Sequence, residues 1–182
     1  NIPGRSGVDL GVEAMAQLAE VPEIVAVKEA TGNVLRSQAL LTRFGERFTV
    51  LSGDDGLTLP ILALGGKGVI SVTSNVLPRE VGDVVRLWNA GDLAGARKLH
   101  LRLVPVHESM FVESNTGPAK AALARAGRIA PEVRLPLVWP AEASRAPRAA
   151  VVKTHANRTK SWIRIEYVFL ASVNFKGLSP LV

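Results

Sequence analysis

A chain of 182 residues that is 47% hydrophobic and 21% charged has the composition of a globular protein, not of a disordered one. It has no cysteine, which excludes disulfides and thiolate metal sites, and neither a membrane-spanning apolar run nor a signal peptide is visible, so a cytoplasmic protein is the default. The formal charge of +6 lies entirely in the tail: residues 1–143 hold 15 basic and 15 acidic side chains and residues 144–182 hold 7 and 1, so the body lacks a basic footprint for nucleic acid.

The chain opens at Asn1 in what reads as a loop, Asn1 to Gly7, and looks like a piece cut from something longer. Asp9 is a candidate N-cap for a helix with apolar positions Val12, Met15, Leu18 and Ala19 at helical spacing. Pro22 ends it, and Ile24 to Val27 reads as a short, fully buried strand. An amphipathic helix follows over 34–44, then a strand over 48–51, the turn 52–56, a helix over 57–64, four residues rich in glycine and a strand over 69–72. Strand and helix alternating in this way predict a parallel sheet, either a (β/α)₈ barrel or a doubly wound sheet.

Beyond Val72 only helices are expected, over 79–89, 93–111 and 118–126, with Asp92 and Ser114 as caps and Pro105 bending or breaking the middle one. Leu135 to Pro140 reads as an extended connection. Three regions result: a partial barrel over 1–76, a helical region over 77–146 and a divergent, poorly ordered basic tail over 147–182. The tail has some strand-like alternation over 162–169, but no turn or cap ties it to the helices before it.

Lys28 is the residue richest in chemical meaning. It follows an apolar strand and precedes the loop Glu29-Ala30-Thr31-Gly32-Asn33, and the carboxyl end of a parallel strand is where α/β sites form. Making any lysine amine nucleophilic near neutral pH takes on the order of 4 kcal/mol of environment, which burial at a strand end can supply. The alternative is an ammonium that simply leaves the sheet for solvent.

Four ordered motifs then carry a resemblance. Asn1-Ile2-Pro3-Gly4-Arg5-Ser6-Gly7, Val25-Ala26-Val27-Lys28-Glu29-Ala30-Thr31-Gly32, Leu51-Ser52-Gly53-Asp54-Asp55 and Gly65 to Val72 are similar to successive signatures of the dihydrodipicolinate synthase family. Phe111-Val112-Glu113, Pro118 and Lys120 resemble its C-terminal helical part, and the likeness runs over about residues 1–145. It implies the C-terminal half of a (β/α)₈ barrel followed by a small helical domain. It also implies a class I, Schiff-base lyase that condenses pyruvate with L-aspartate-4-semialdehyde in lysine biosynthesis. On that resemblance Lys28 forms the imine with pyruvate, with no separate cofactor, and Arg5 holds the carboxylate of the aldehyde substrate. Gly53 and Ile70 line the pyruvate site, largely through main-chain groups. Related lyases acting on sialic acid or keto-deoxy sugars usually differ at the position of Arg5. Family enzymes are commonly homotetramers, a state not carried over to this chain.

The chain departs from the family in two places. The first half of the barrel is missing, with a threonine pair and the tyrosines of a proton relay, so the expectation is a weak or inactive protein. A non-catalytic, truncated relative is therefore the second reading. After about Arg148 the resemblance ends, and a basic tail that contacts nucleic acid is the third. Other signals are weaker. Gly65 to Gly68 precedes a strand, where a phosphate loop precedes a helix. Asp54 and Asp55 fit helix caps better than metal ligands, and His100 and His107 lack a third ligand and read as surface or packing histidines.

Overall fold

The computed structural model describes residues 1–145, and the expectations for the basic tail, including the strand-like stretch 162–169, lie outside them. Three parallel strands, β1 (Ala26–Glu29), β2 (Thr49–Ser52) and β3 (Gly68–Val69), stand side by side in chain order. Lys28 lies level with Leu51, Glu29 with Ser52, and Ser52 with Val69. Because strand side chains alternate, Val27, Glu29, Val50 and Ser52 share one face and Ala26, Lys28, Thr49 and Leu51 the other.

Helices α1 (Pro3–Ser6) and α2 (Val12–Ala19) precede the sheet, and α3 (Val34–Phe44) and α4 (Thr58–Ala63) make the two crossovers between its strands. The first crossover starts at Asn33, whose side chain accepts from the N–H groups of Leu35 and Arg36 at 3.0 and 3.3 Å. The second ends at Gly65, whose φ of 106° an L side chain rarely adopts. Met15, Val27, Leu40, Phe48 and Val50 form the core between the sheet and helices α2 and α3.

Four helices follow: α5 (Pro78–Asn89), α6 (Leu93–Ser109), α7 (Gly117–Arg125) and α8 (Glu142–Arg145). Their core of Leu77, Val81, Val84, Leu103, Val106, Met110 and Ala119 is continuous with Val69 of β3 and with Val76. Asp92 caps α6 as expected, accepting from Gly95 N–H at 2.9 Å. Pro105 does not break that helix, which runs uninterrupted for 17 residues. Leu103 and Val106, at most 2% exposed on either side of the proline, anchor the helix in the core.

Three local expectations need correcting. The first strand starts two residues later than the apolar run, and Val25 is 45% exposed, so this segment is not fully buried. Asp9 does not cap α2, whose N-cap is Gly11; its carboxylate accepts from Asn1 Nδ2 at 2.8 Å and pairs with Arg36 at 3.2 Å. Ser114 does not cap α7, which starts after Thr116; its hydroxyl accepts instead from Arg5.

Candidate active site

Lys28 is the third residue of β1 and half-buried, on the sheet face opposite Val27 and Val50. Its aliphatic arm lies across Gly53, the first residue beyond β2. A β-carbon added at Gly53 would stand 2.9 Å from Lys28 Cε and would collide with Ala30 Cβ. The absence of a side chain at residue 53 is therefore what lets the lysine lie over the strand end. Gly53 N–H donates to Glu29 O at 2.7 Å, and Ile70 N–H donates to Ser52 O at 2.8 Å. Both N–H groups are committed to extending the sheet, which leaves the carbonyls as the main-chain groups these residues can offer a ligand.

The segment carrying Arg5 is tied to the same strand end. The Asn1 amino group donates to Lys28 O at 2.8 Å, and Ala30 N–H donates to Asn1 O at 2.9 Å, so the segment lies along the outer edge of β1. The Asn1 side chain accepts from Leu10 N–H at 3.1 Å and donates to Asp9. Glu29, 3% exposed, accepts from Thr31 N–H at 2.8 Å and pairs with Arg36 at 3.4 Å. Arg36 in turn reaches Asp9 and the Leu10 carbonyl. Arg5 itself sits in the single turn α1, not in an irregular loop, and is exposed. Its guanidinium donates to Ser114 Oγ at 3.2 Å and Asn115 O at 3.0 Å, in the connection between α6 and α7. Lys28 and Gly53 thus meet directly, Ile70 stands one strand further, and Arg5 is linked to Lys28 through Asn1.

The two aspartates behave differently. Asp54 makes the expected cap, accepting from Gly56 N–H at 2.9 Å. Asp55 does not cap: it is 1% exposed and reaches across to the loop after β3. There it accepts from Ser71 Oγ, from Val72 N–H at 2.9 Å and from Thr73 N–H at 3.1 Å. Thr73 Oγ1 is hydrogen-bonded to His107 Nδ1 at 2.8 Å, and that nitrogen is 3.9 Å from Asp55 Oδ1. His100 and His107 are each 6% exposed, with ring centroids 6.0 Å apart, so both are packing residues and neither is at the surface. No group of three or more His, Cys, Asp or Glu that could hold a metal exists among the described residues.

Burial lowers both histidines below the ordinary 6.5, most strongly opposed at His107 by the charge of Asp55 and at His100 by a hydrogen bond to the Gly56 backbone. Each His100 or His107 ring charges more readily in the unfolded chain than in the folded one. Stability is therefore intact above about pH 6.5, falls as pH drops below it, and levels off once the folded-state values are passed. Urea unfolding at about pH 7.5 and pH 5 checks this: the midpoint should drop at the lower pH, and by less in His107→Asn. An equal drop in both proteins would contradict it.

A lysine at the carboxyl end of a strand in a parallel α/β half-barrel is the arrangement of a barrel-type enzyme family. Residues 1–155 match the dihydrodipicolinate synthetase family, and the chain belongs to that family. The match reaches beyond Arg148, where the likeness was expected to end. Over 146 residues the chain is 58% identical to a 4-hydroxy-tetrahydrodipicolinate synthase of Sorangium cellulosum, covering 80% of this chain and 48% of that protein. The solved dihydrodipicolinate synthase of Aquifex aeolicus superposes with a TM-score of 0.81 at 42% identity, over 88% of this chain and 55% of that one. The chloride-inhibited dihydrodipicolinate synthase of Acinetobacter baumannii, solved with pyruvate, gives 0.80 at 39% identity over 86% and 54%. The chain spans about half the length of these relatives, and its fold is the C-terminal half of their (β/α)₈ barrel with the helices that follow. No described helix is long and apolar enough to cross a membrane.

Proposed function

We propose that this chain carries the imine-forming half of a 4-hydroxy-tetrahydrodipicolinate synthase, a cytoplasmic lyase of lysine biosynthesis. In this reading residues 1–76 are the partial barrel and 77–146 the helical domain. The observation that carries the proposal is the lysine arm lying over a glycine at the carboxyl end of adjacent parallel strands. There the Nζ amine of Lys28 attacks the ketone carbon of pyruvate and water leaves. The resulting iminium is an electron sink, so a methyl proton is lost and an enamine forms. The enamine carbon attacks the aldehyde of L-aspartate-4-semialdehyde, and the protein needs no other cofactor. Arg5, whose guanidinium is hydrogen-bonded to Ser114 and Asn115, is a planar donor suited to that substrate's carboxylate. The arginine also favours this substrate over the sugar acids of related pyruvate-dependent lyases.

The second reading is a non-catalytic relative. Acid–base partners supplied by the other half are worth roughly 10²- to 10⁴-fold in rate. A steady-state condensation assay on the purified chain tests the proposal. The expected rate is at least about a hundredfold below that of a complete relative, with Arg5→Ala raising the KM for the aldehyde more than that for pyruvate. A rate equal to a complete relative's would contradict the dependence on the other half. Equal effects of Arg5→Ala on both substrates would contradict the role of the arginine.

A further inference from the structure

The carboxylate of Asp55 joins the turn after β2 to the loop after β3, and that loop in turn reaches α6. It stands two residues after Gly53, in the turn over which the arm of Lys28 lies. Its acceptor bonds go to Ser71, Val72 and Thr73, the residues immediately after Ile70. The Ser71 hydroxyl is used twice, since it also accepts from Ser74 N–H at 2.8 Å. Thr73, fully buried, passes the connection to His107 near the end of α6. Residues 53 and 70, already joined at the sheet by the bond from Ile70 N–H to Ser52 O, are thus tied a second time beyond the strand ends by one buried carboxylate, and that carboxylate is backed by a helix of the following region.

We infer that Asp55, Thr73 and His107 are positioning residues for 2-oxo acid capture at Lys28, through which α6 controls the gap between the Gly53 turn and the Ile70 loop. The inference rests on the imine reading of Lys28 for its functional half. Its structural half, the pinning of two loops by one helix, stands without it. An anion of this kind is demanding: without it two backbone N–H groups and a hydroxyl are left buried and unpaired, and the loops must part to hydrate them. His107 is the adjustable member. Kept neutral by burial, its Nδ1 can share a hydrogen with the Thr73 hydroxyl. Once charged, it becomes an obligate donor 3.9 Å from Asp55 and competes for the lone pairs that hold Val72 and Thr73. The charged and titratable groups facing it are Asp55, Asp54 and His100, the last raising the cost of a second positive charge. Capture therefore weakens below the ordinary histidine range for a reason separate from the lysine's own protonation.

Two variants separate positioning from bulk stability. His107→Phe keeps the ring volume and removes the bond to Thr73, whereas His107→Asn can place a polar atom where Nδ1 stands but cannot titrate. In the full chain, amide exchange at residues 53–55 and 70–73 should quicken about tenfold in His107→Phe and stay unchanged at residues 37–41 of α3, the factor one lost buried hydrogen bond carries. The pyruvate concentration giving half-maximal borohydride trapping should rise about fivefold to tenfold in His107→Phe and less than about twofold in His107→Asn. Below about pH 6.5 that concentration should climb more steeply in the parent chain than in His107→Asn. Exchange that quickens uniformly, or not at all, in His107→Phe overturns the pinning. Selective quickening with trapping identical in all three proteins overturns the link to capture. A parent chain that yields no adduct counts against the imine reading and against that link, while the exchange result still decides the pinning.

Discussion

Gly53→Ala is expected to lower imine formation with pyruvate at least about a hundredfold, the cost of a misplacement near 1 Å at a reacting centre. The added methyl group has nowhere to go. It collides with Ala30 Cβ and comes within 2.9 Å of Lys28 Cε and 3.1 Å of Ala30 Cα. Main chain cannot yield here, because Gly53 N–H is bonded to Glu29 O and β1 is in register with β2. The movable group is the lysine arm, so the substitution displaces the amine proposed to form the imine. Overpacking should also cost about 1–3 kcal/mol of stability. The double change Gly53→Ala with Ala30→Gly separates the two effects, since it relieves the worst collision and leaves the one with Lys28. Urea unfolding should show recovered stability in the double variant, while borohydride trapping stays low. Trapping restored along with stability would mean that the glycine serves the fold and not the lysine.

Glu29→Ala is expected to destabilise the chain by about 3–5 kcal/mol, read from urea unfolding. The side chain next to Lys28 points to the opposite face of the sheet, where it is paired with Arg36 and accepts from Thr31 N–H. Arg36 is itself mostly enclosed, with a side chain 11% exposed, and its other anionic partner, Asp9, is 54% exposed and strengthens it little. Removing Glu29 leaves a guanidinium inside the protein without its buried counterion, a cost far above that of losing a surface pair. Glu29→Gln keeps an acceptor for Thr31 and should cost less than Glu29→Ala. A loss below about 1 kcal/mol for Glu29→Ala would show that water reaches the arginine, and the link between β1 and the Asn1–Leu10 segment would then be weaker than its geometry suggests.

Much of the architecture was legible from periodicity and punctuation. Apolar runs at 24–27, 48–51 and 69–72, each preceded by an amphipathic stretch and a turn, predict parallel strands, and three form, the last over Gly68–Val69 alone and not over 69–72. Asp92 acts as the expected cap because capping is local, depending on residues two or three positions away. What was not legible depends on partners far along the chain. Asp9 has the chemistry of a cap, but Asn1 and Arg36 compete for its carboxylate. Ser114 is likewise claimed by Arg5, more than a hundred positions away. Asp55 and His107 gave no usable signal, since an aspartate before a helix is ordinarily a cap and only the fold shows that residues 71–73 turn back over it. The late start of β1 also depends on a distant partner: its pairing begins at Ala26 because that residue lies level with Thr49, the first residue of β2.

The proximity of Lys28 to Gly53 could be anticipated only through resemblance. Strand position alone places a lysine at a sheet end but does not say whether its arm folds over the neighbouring strand or leaves for solvent. A glycine at residue 53 is the local feature that decides between the two.

The most direct measurement is reduction of the pyruvate-treated chain with sodium borohydride, followed by proteolysis and mass analysis of every lysine-containing peptide. One reduced adduct of pyruvate, confined to the peptide holding Lys28 and absent without pyruvate, is the predicted result. No adduct, or adducts spread over other lysines such as Lys67 and Lys120, would contradict the assignment of Lys28 as the nucleophile.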